Sequence, residues 1–213
     1  MARQRPMWVQ LSEWEEACWR RGRLVAGVDE VGRGPLAGPV VAAAVVLARD
    51  SRIDGLDDSK RLSERQREAL IPKILGQAVG VAVAFVGPRM IDRVNILEAS
   101  RLAMHKALWR LPEVPSVVLT DAMAVGGPWQ EWCLLHGDAR SASIAAASVV
   151  AKVARDRYMH ELGQQYPAYG FEGHKGYGTP AHQAALIKWG ACPAHRYTFI
   201  ARWMEGAAAE PNS

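Results

Sequence analysis

Apolar residues run along this chain in two rhythms. Leu24–Asp29 and Val40–Leu47 are short, nearly continuous runs rich in Val and Ala, bounded by Gly or Pro, and they predict buried strands. Ala78–Val86 alternates valine with small residues and predicts a third strand. Ser116–Asp121 reads as a short strand ending in a carboxylate, and Trp132–His136 as a further one. Helical spacing lies between and after them. Ser63-x-x-Gln66 opens a helix over Ser63–Ile74. Ile96–Leu111 brings Leu102, Ala103, His105 and Leu108 together, and Ile144, Ala147, Ala151, Ala154, Tyr158 and Leu162 mark one face of a long helix. Thr179 at N-cap and Pro180 at N1 start another helix.

Outside these runs the pattern is weaker. Ser12-Glu13-Trp14-Glu15 reads as a capping box, Leu11, Trp14 and Cys18 as an apolar stripe, and Arg20-Arg21-Gly22 as a helix stop. One short helix is therefore predicted before residue 23. Tyr166–Gly178 reads as a loop and Glu205–Ser213 as a frayed tail. The order of strands and helices predicts a mixed α/β domain with carboxylates at strand ends.

Composition narrows the class only modestly. The 213 residues are 49% apolar, enough for a sizeable core, which excludes a disordered chain. The net charge of +4 is compatible with nucleic acid without demanding it. Cys18, Cys133 and Cys192 are odd in number and include no Cys-x-x-Cys pair, which speaks against a disulfide framework or zinc ribbon and for free thiols in a reducing compartment. With no 18-residue apolar run and no signal-peptide core, a cytoplasmic protein without membrane contact is expected.

Chemistry concentrates at the end of the first run. Asp29 and Glu30 close an apolar strand and lead directly into Gly32-Arg33-Gly34. Carboxylates there can hold a hard divalent cation, and glycines let backbone N–H groups approach a phosphate or sugar. Asp121 ends a second strand, and Asp138 precedes the long helix. If their strands are neighbours, these acids could converge on two metal ions about 3.5–4 Å apart, the arrangement of phosphoryl transfer. Residue by residue the alternatives stay open: Asp138 also fits a helix cap, and Asp121 a turn. Successive strand residues point to opposite faces, so Asp29 and Glu30 share a site only if the strand ends or twists at Glu30. Gly32-x-Gly34 with Ala37 also approximates a dinucleotide fingerprint, but the preceding acids would repel a pyrophosphate, and Pro35 and Pro39 oppose a helix there.

At this point the motifs resemble a known family. Gly27-Val28-Asp29-Glu30-Val31-Gly32-Arg33-Gly34-Pro35-Leu36-Ala37-Gly38-Pro39-Val40 is similar to the signature of bacterial ribonuclease HII. Asp58-Ser59-Lys60, Asn95-Ile96-Leu97, Gly137-Asp138, Ser143–Ser148, Ala151–Asp156, Tyr166-Pro167, His174–Thr179 and His195-Arg196 follow in that family's order. The similarity spans about residues 24–200.

The resemblance implies an RNase H-like α/β fold, a five-stranded mixed sheet flanked by helices with a C-terminal helical region. It implies a catalytic domain over 24–204, between an N-terminal helical extension (1–23) and a flexible tail (205–213). It further implies endonucleolytic hydrolysis of the RNA strand of RNA–DNA hybrids. Duplex DNA carrying embedded ribonucleotides would be nicked 5′ of the ribonucleotide, leaving 3′-hydroxyl and 5′-phosphate ends, as in ribonucleotide removal during DNA repair. The implied ligands of Mg²⁺ or Mn²⁺ are Asp29, Glu30, Asp121 and Asp138, with Asp29 shared between two ions. Gly32, Arg33 and Gly34 would read the ribose 2′-hydroxyl and Tyr177 would pack on the neighbouring sugar; Lys60, Lys152 and Lys175 fit phosphate contacts and equally fit exposed solubilising residues. His136 stands where the family commonly has lysine, and Ala122 where glycine often follows the third acid. A monomer is expected. Ribonuclease HIII is the near rival, but it usually carries a separate N-terminal domain and a lysine at the position of Arg33. A non-catalytic nucleic-acid-binding module would not need four acids beside bound phosphates.

Overall fold

The computed structural model describes residues 7–201. The expected tail at 205–213, the end of the expected catalytic domain and the first six residues lie outside the described residues. Two short helices, α1 (Met7–Leu11) and α2 (Glu13–Trp19), replace the single one expected. Ser12 makes no side-chain cap on α2: its backbone, at φ −98° and ψ 7°, is not in the extended N-cap conformation, and Glu15, its expected box partner, turns into the protein interior. Strands β1 (Val25–Val31) and β2 (Val40–Leu47) follow. Next come α3 (Glu64–Gln77), closed at its start by the predicted Ser63/Gln66 capping box, and β3 (Ala78–Val86). Helices α4 (Pro88–Val94) and α5 (Ile96–Trp109) precede β4 (Val117–Asp121) and β5 (Gln130–Leu134). The long helix α6 (Ala142–Gln165) leads to α7 (Phe171–His174) and α8 (Pro180–Trp189). The segment expected as a loop over 166–178 thus contains a 3₁₀ turn at Pro167–Tyr169 and the single turn α7.

The five strands form one mixed sheet in the order β3-β2-β1-β4-β5. β1–β2 and β2–β3 are antiparallel, while β1–β4 and β4–β5 are parallel. Ala26 and Val28 of β1 pack into a core with Ala103, Met104 and Leu108 of α5. On the other face, Ala43 and Val45 of β2 pack with Ala145, Ala146, Val149 and Val150 of α6. The one-face expectation for α6 fails over its first half: every residue from Ala142 to Ala151 is buried. The helix lies that close because β1 has no side chain at Gly27, where a Cβ would stand 2.1 Å from the Ser143 carbonyl carbon. Cys18 and Cys192 are buried and Cys133 is exposed, all three as free thiols. No helix among the described residues is long and apolar enough to cross a membrane.

Candidate active site

The β1–β4 register pairs Val25 with Val117 and Val28 with Thr120, so one step further it sets Asp29 beside Asp121. The two carboxylates stand at the carboxyl ends of adjacent parallel strands, where open α/β sheets place their ligands. Contrary to the sequence expectation, β1 does not end at Glu30; it stays paired with β2 through Val31. Asp29 shares the α6 side with Val31, and Ser148 of α6 hydrogen-bonds its carboxylate. Ser148 Oγ in turn lies 2.7 Å from Ser59 Oγ, which ties the Asp58-Ser59-Lys60 loop beneath the site. Glu30 has the parity of Val28, and Arg33 Nη1 approaches its Oε1 at 3.4 Å.

Asp138 comes from a 3₁₀ turn, Gly137–Ala139, packed beside the end of β4. The Gly137 N–H donates to Asp121 Oδ1 at 3.0 Å, joining this turn to that strand end. Asp138 is 5% exposed, and Lys60 Nζ sits 3.4 Å from its Oδ2. It does not cap α6. Ser141 does, accepting from Ile144 N at 3.2 Å.

The four acids are electrostatically one group. Burial first, then the charge of Glu30, pushes the Asp29 carboxyl up to about 8. Burial also raises Glu30, with Arg33 opposing and Asp121 adding to the rise. Asp138 is raised by burial and by Asp58, against Lys60. Burial pulls the Lys60 ammonium down, but Asp138, Asp58 and Asp29 outweigh it and leave it raised. Among the described residues, no three His, Cys, Asp or Glu side chains stand close enough to hold an ion as placed. Arg33, Lys60 and the Gly137 N–H each take hold of one acid instead. The donor set fits a hard divalent cation: all oxygen, with crowded negative charge that a cation would offset.

The glycine–arginine loop lies next to the acids. Gly32 adopts φ +90°, and a Cβ there would stand 2.2 Å from Arg155 Nε. Tyr177 is 46% exposed, and its ring edge is 3.9 Å from where a Cβ on Gly34 would sit. The expected residues Asp29, Glu30, Asp121, Asp138, Lys60, Gly32, Arg33, Gly34 and Tyr177 thus fall in one region. Two further lysines are held within the protein. Lys152 is engaged by Asp156 at 2.5 and 2.7 Å, and Lys175 donates to the Glu172 carbonyl at 2.7 Å. Arg155 and Arg196 had no role of their own in the sequence, and Glu15, which reads there as a capping-box partner, serves another helix instead; all three are 0% exposed.

The fold and its acid-bearing strand ends define a ribonuclease H-type domain. The ribonuclease H2 of Pyrococcus horikoshii OT3 superposes with a TM-score of 0.76 over 87% of this chain and 99% of its own, at 28% identity. A Bst-RNase HIII structure, described as a complex with Mn²⁺, superposes with a TM-score of 0.65 over 98% of this chain and 75% of its own; at 19% identity it speaks to the fold alone. Within that class, a family model for ribonuclease HII matches residues 26–202, and the chain belongs to that family. A ribonuclease HII of Geobacillus kaustophilus (strain HTA426) is 52% identical over 193 residues, which cover 90% of this chain and 74% of the relative. The chain is therefore a ribonuclease H, an enzyme acting on the RNA of RNA–DNA hybrids.

Proposed function

We propose that this chain cleaves phosphodiesters with divalent cations held by Asp29, Glu30, Asp121 and Asp138. We extend its substrates from RNA–DNA hybrids to duplex DNA carrying single ribonucleotides, nicked on their 5′ side. The observation that carries the reading is the placement of Asp29 and Asp121 side by side at two parallel strand ends, with Asp138 brought in by the Gly137–Asp121 hydrogen bond. Mg²⁺ or Mn²⁺ bound there would supply an activated water and charge stabilisation for the leaving oxygen.

The protein's own groups do the rest. Ser148 orients the Asp29 carboxylate from α6, and the Gly137 N–H orients that of Asp121. Arg33 and Lys60, now turned to Glu30 and Asp138, are cations that a bound phosphate can recruit. Gly32-Arg33-Gly34 and Tyr177 form the wall against which the sugar beside the scissile bond would rest. A 2′-hydroxyl, which both donates and accepts, is what such a wall can recognise and deoxyribose cannot satisfy.

The test is an end-labelled DNA duplex with one ribonucleotide, incubated with Mg²⁺ or Mn²⁺. The expected product is a nick 5′ of that nucleotide with a 3′-hydroxyl that a polymerase extends. Asp121→Asn should lower kcat by at least about a thousandfold, the scale of losing a principal electrostatic group. Full activity of that variant with metal present would remove Asp121 from the set. Cleavage of hybrids without nicking at the single ribonucleotide would confine the enzyme to RNA tracts.

A further inference from the structure

Two arginines are fully buried beneath the glycine–arginine loop, and neither meets a carboxylate within ion-pair distance among the described residues. They are spent on backbone carbonyls instead. Arg196 donates from Nε to Gly38 O at 3.0 Å, from Nη1 to Arg33 O at 2.8 Å and from Nη2 to Gly32 O at 2.6 Å. Arg155 donates from Nε to Pro39 O at 3.0 Å and from Nη2 to Ala37 O at 3.3 Å. Five carbonyls between residues 32 and 39 are thus drawn inward by two planar forks. Burying two cations is costly, and only this many charge-assisted bonds offset it.

The consequence lies on the other side of each peptide. In a trans peptide the C=O and the N–H point in opposite directions. Holding the Gly32 and Arg33 carbonyls inward therefore turns the N–H groups of Arg33 and Gly34 outward. Neither N–H finds an acceptor among the described residues. Both are free donors at the wall that Tyr177 completes and Glu30 adjoins.

We propose that Arg196, supported by Arg155, is the positioning residue for ribose recognition: its guanidinium fixes the two peptides whose outward N–H groups bind the 2′-oxygen. This inference rests on the reading of Gly32-Arg33-Gly34 as the sugar-facing wall. Arg196 touches no substrate and acts through the loop. Lysine cannot replace it, because one ammonium on a flexible stem does not span three carbonyls set around a fork.

The experiment compares the wild type with Arg196→Lys by kcat/KM on an RNA–DNA hybrid, and by the Ki of a DNA–DNA duplex of the same sequence as competitor. The expected result is a fall in kcat/KM of about tenfold, the equivalent of one hydrogen bond, with Ki unchanged within twofold. A fall under threefold, or a Ki that rises in step with the loss, overturns the proposal. An ester in place of the Gly34 amide, deleting that N–H alone, separates the two readings. If the ester preserves kcat/KM, the loop is not the sugar reader; if it lowers kcat/KM and Arg196→Lys does not, only the role of Arg196 fails. Should Arg196→Lys not fold, hydrogen exchange in the wild type decides. Fast exchange at the Arg33 and Gly34 amides with slow exchange at Arg196 Nε–H supports the clamp, and protected amides at 33 and 34 overturn it.

Discussion

Glu15→Ala is the sharpest probe of how the N-terminal segment supports this fold. Glu15 projects from α2, and its Oε1 accepts from Ser141 Oγ at 2.5 Å and from the Ser143 N–H at 2.9 Å, across more than 120 residues. A carboxylate thus sits at the N-terminus of α6, where the helix dipole favours negative charge. Truncation removes two bonds to a charged group, worth about 1.5–3 kcal/mol each, and leaves the Ser143 N–H buried without an acceptor. Against this, ionised Glu15 carries its own desolvation cost, and its Oε2 has no partner. The expected net loss is about 2–3 kcal/mol. Glu15→Gln keeps an acceptor at Oε1 and sheds the charge, so it should stay within about 1 kcal/mol of the wild type. Burial raises the Glu15 carboxyl above its ordinary 4.5, with Ser141 and Ser143 opposing. Its folded pKa therefore exceeds its unfolded one, so its contribution is complete below 4.5 and is lost as pH rises through the folded value. The wild type must consequently lose ground to Glu15→Gln on going from a pH near 4.5 to one well above it. Urea unfolding at both pH values, followed by tryptophan fluorescence, measures all three proteins. A loss under about 1 kcal/mol in Glu15→Ala, or a wild type that gains on Glu15→Gln as pH rises, would refute the reasoning.

Other expectations follow from single contacts. Ala122 holds φ +55° directly after Asp121, so Ala122→Gly should relieve about 1–2 kcal/mol of left-handed strain, less the flexibility cost of glycine, and raise the melting temperature slightly. Gly27→Ala should cost about 3 kcal/mol or more, because its Cβ would overlap the α6 backbone; an unchanged melting temperature would contradict that packing. Burial, then His182, depresses His195 from its ordinary 6.5 to about 4. Its contribution is therefore present above 6.5 and is lost as pH falls through about 4, by roughly 3 kcal/mol in total. His195→Gln should flatten the acid limb of the stability–pH curve, and an identical limb in that variant would count against the assignment.

Much of the frame was legible because its boundaries carry local chemistry. Val40–Leu47 and Ala78–Val86 coincide with β2 and β3 at both ends, bounded by a Gly-Pro pair and by Gly87-Pro88. Thr179 and Pro180 act as read, with Thr179 Oγ1 accepting from His182 N. What was missed depends on distant partners or on elements too short to show a period. Helix α4 has only seven residues, fewer than two full turns plus caps. Glu15 has the spacing of a capping-box partner, and only the folded chain reveals that it serves another helix. Arg155 and Arg196 stand inside recognised motifs, yet nothing nearby in sequence separates a buried arginine from a solvated one. The identities of the four acids came from the family resemblance; spacing alone left Asp121 and Asp138 open to turn and cap roles.

The pairing of Asp29 with Glu30 remained a geometric puzzle in the sequence, since neighbours on a strand face opposite ways. The strand does not turn to solve it. β1 continues through Val31, with Asp29 on the α6 face and Glu30 on the α5 face. What brings both acids to the same end of the sheet is position along the strand together with the size of the neighbours. Their partners on β2 are Ala43 and Ala42, which screen neither face. On the other side β4 ends level with Asp29, so the sheet stops there and both faces open onto the same end. The electrostatics follow from this arrangement: Glu30 is the largest influence on Asp29 after burial, and Asp121 raises Glu30 in turn. A pair of alternate-face carboxylates thus brackets the end of the sheet, and the turn carrying Asp138 approaches from the α6 side to complete the bracket.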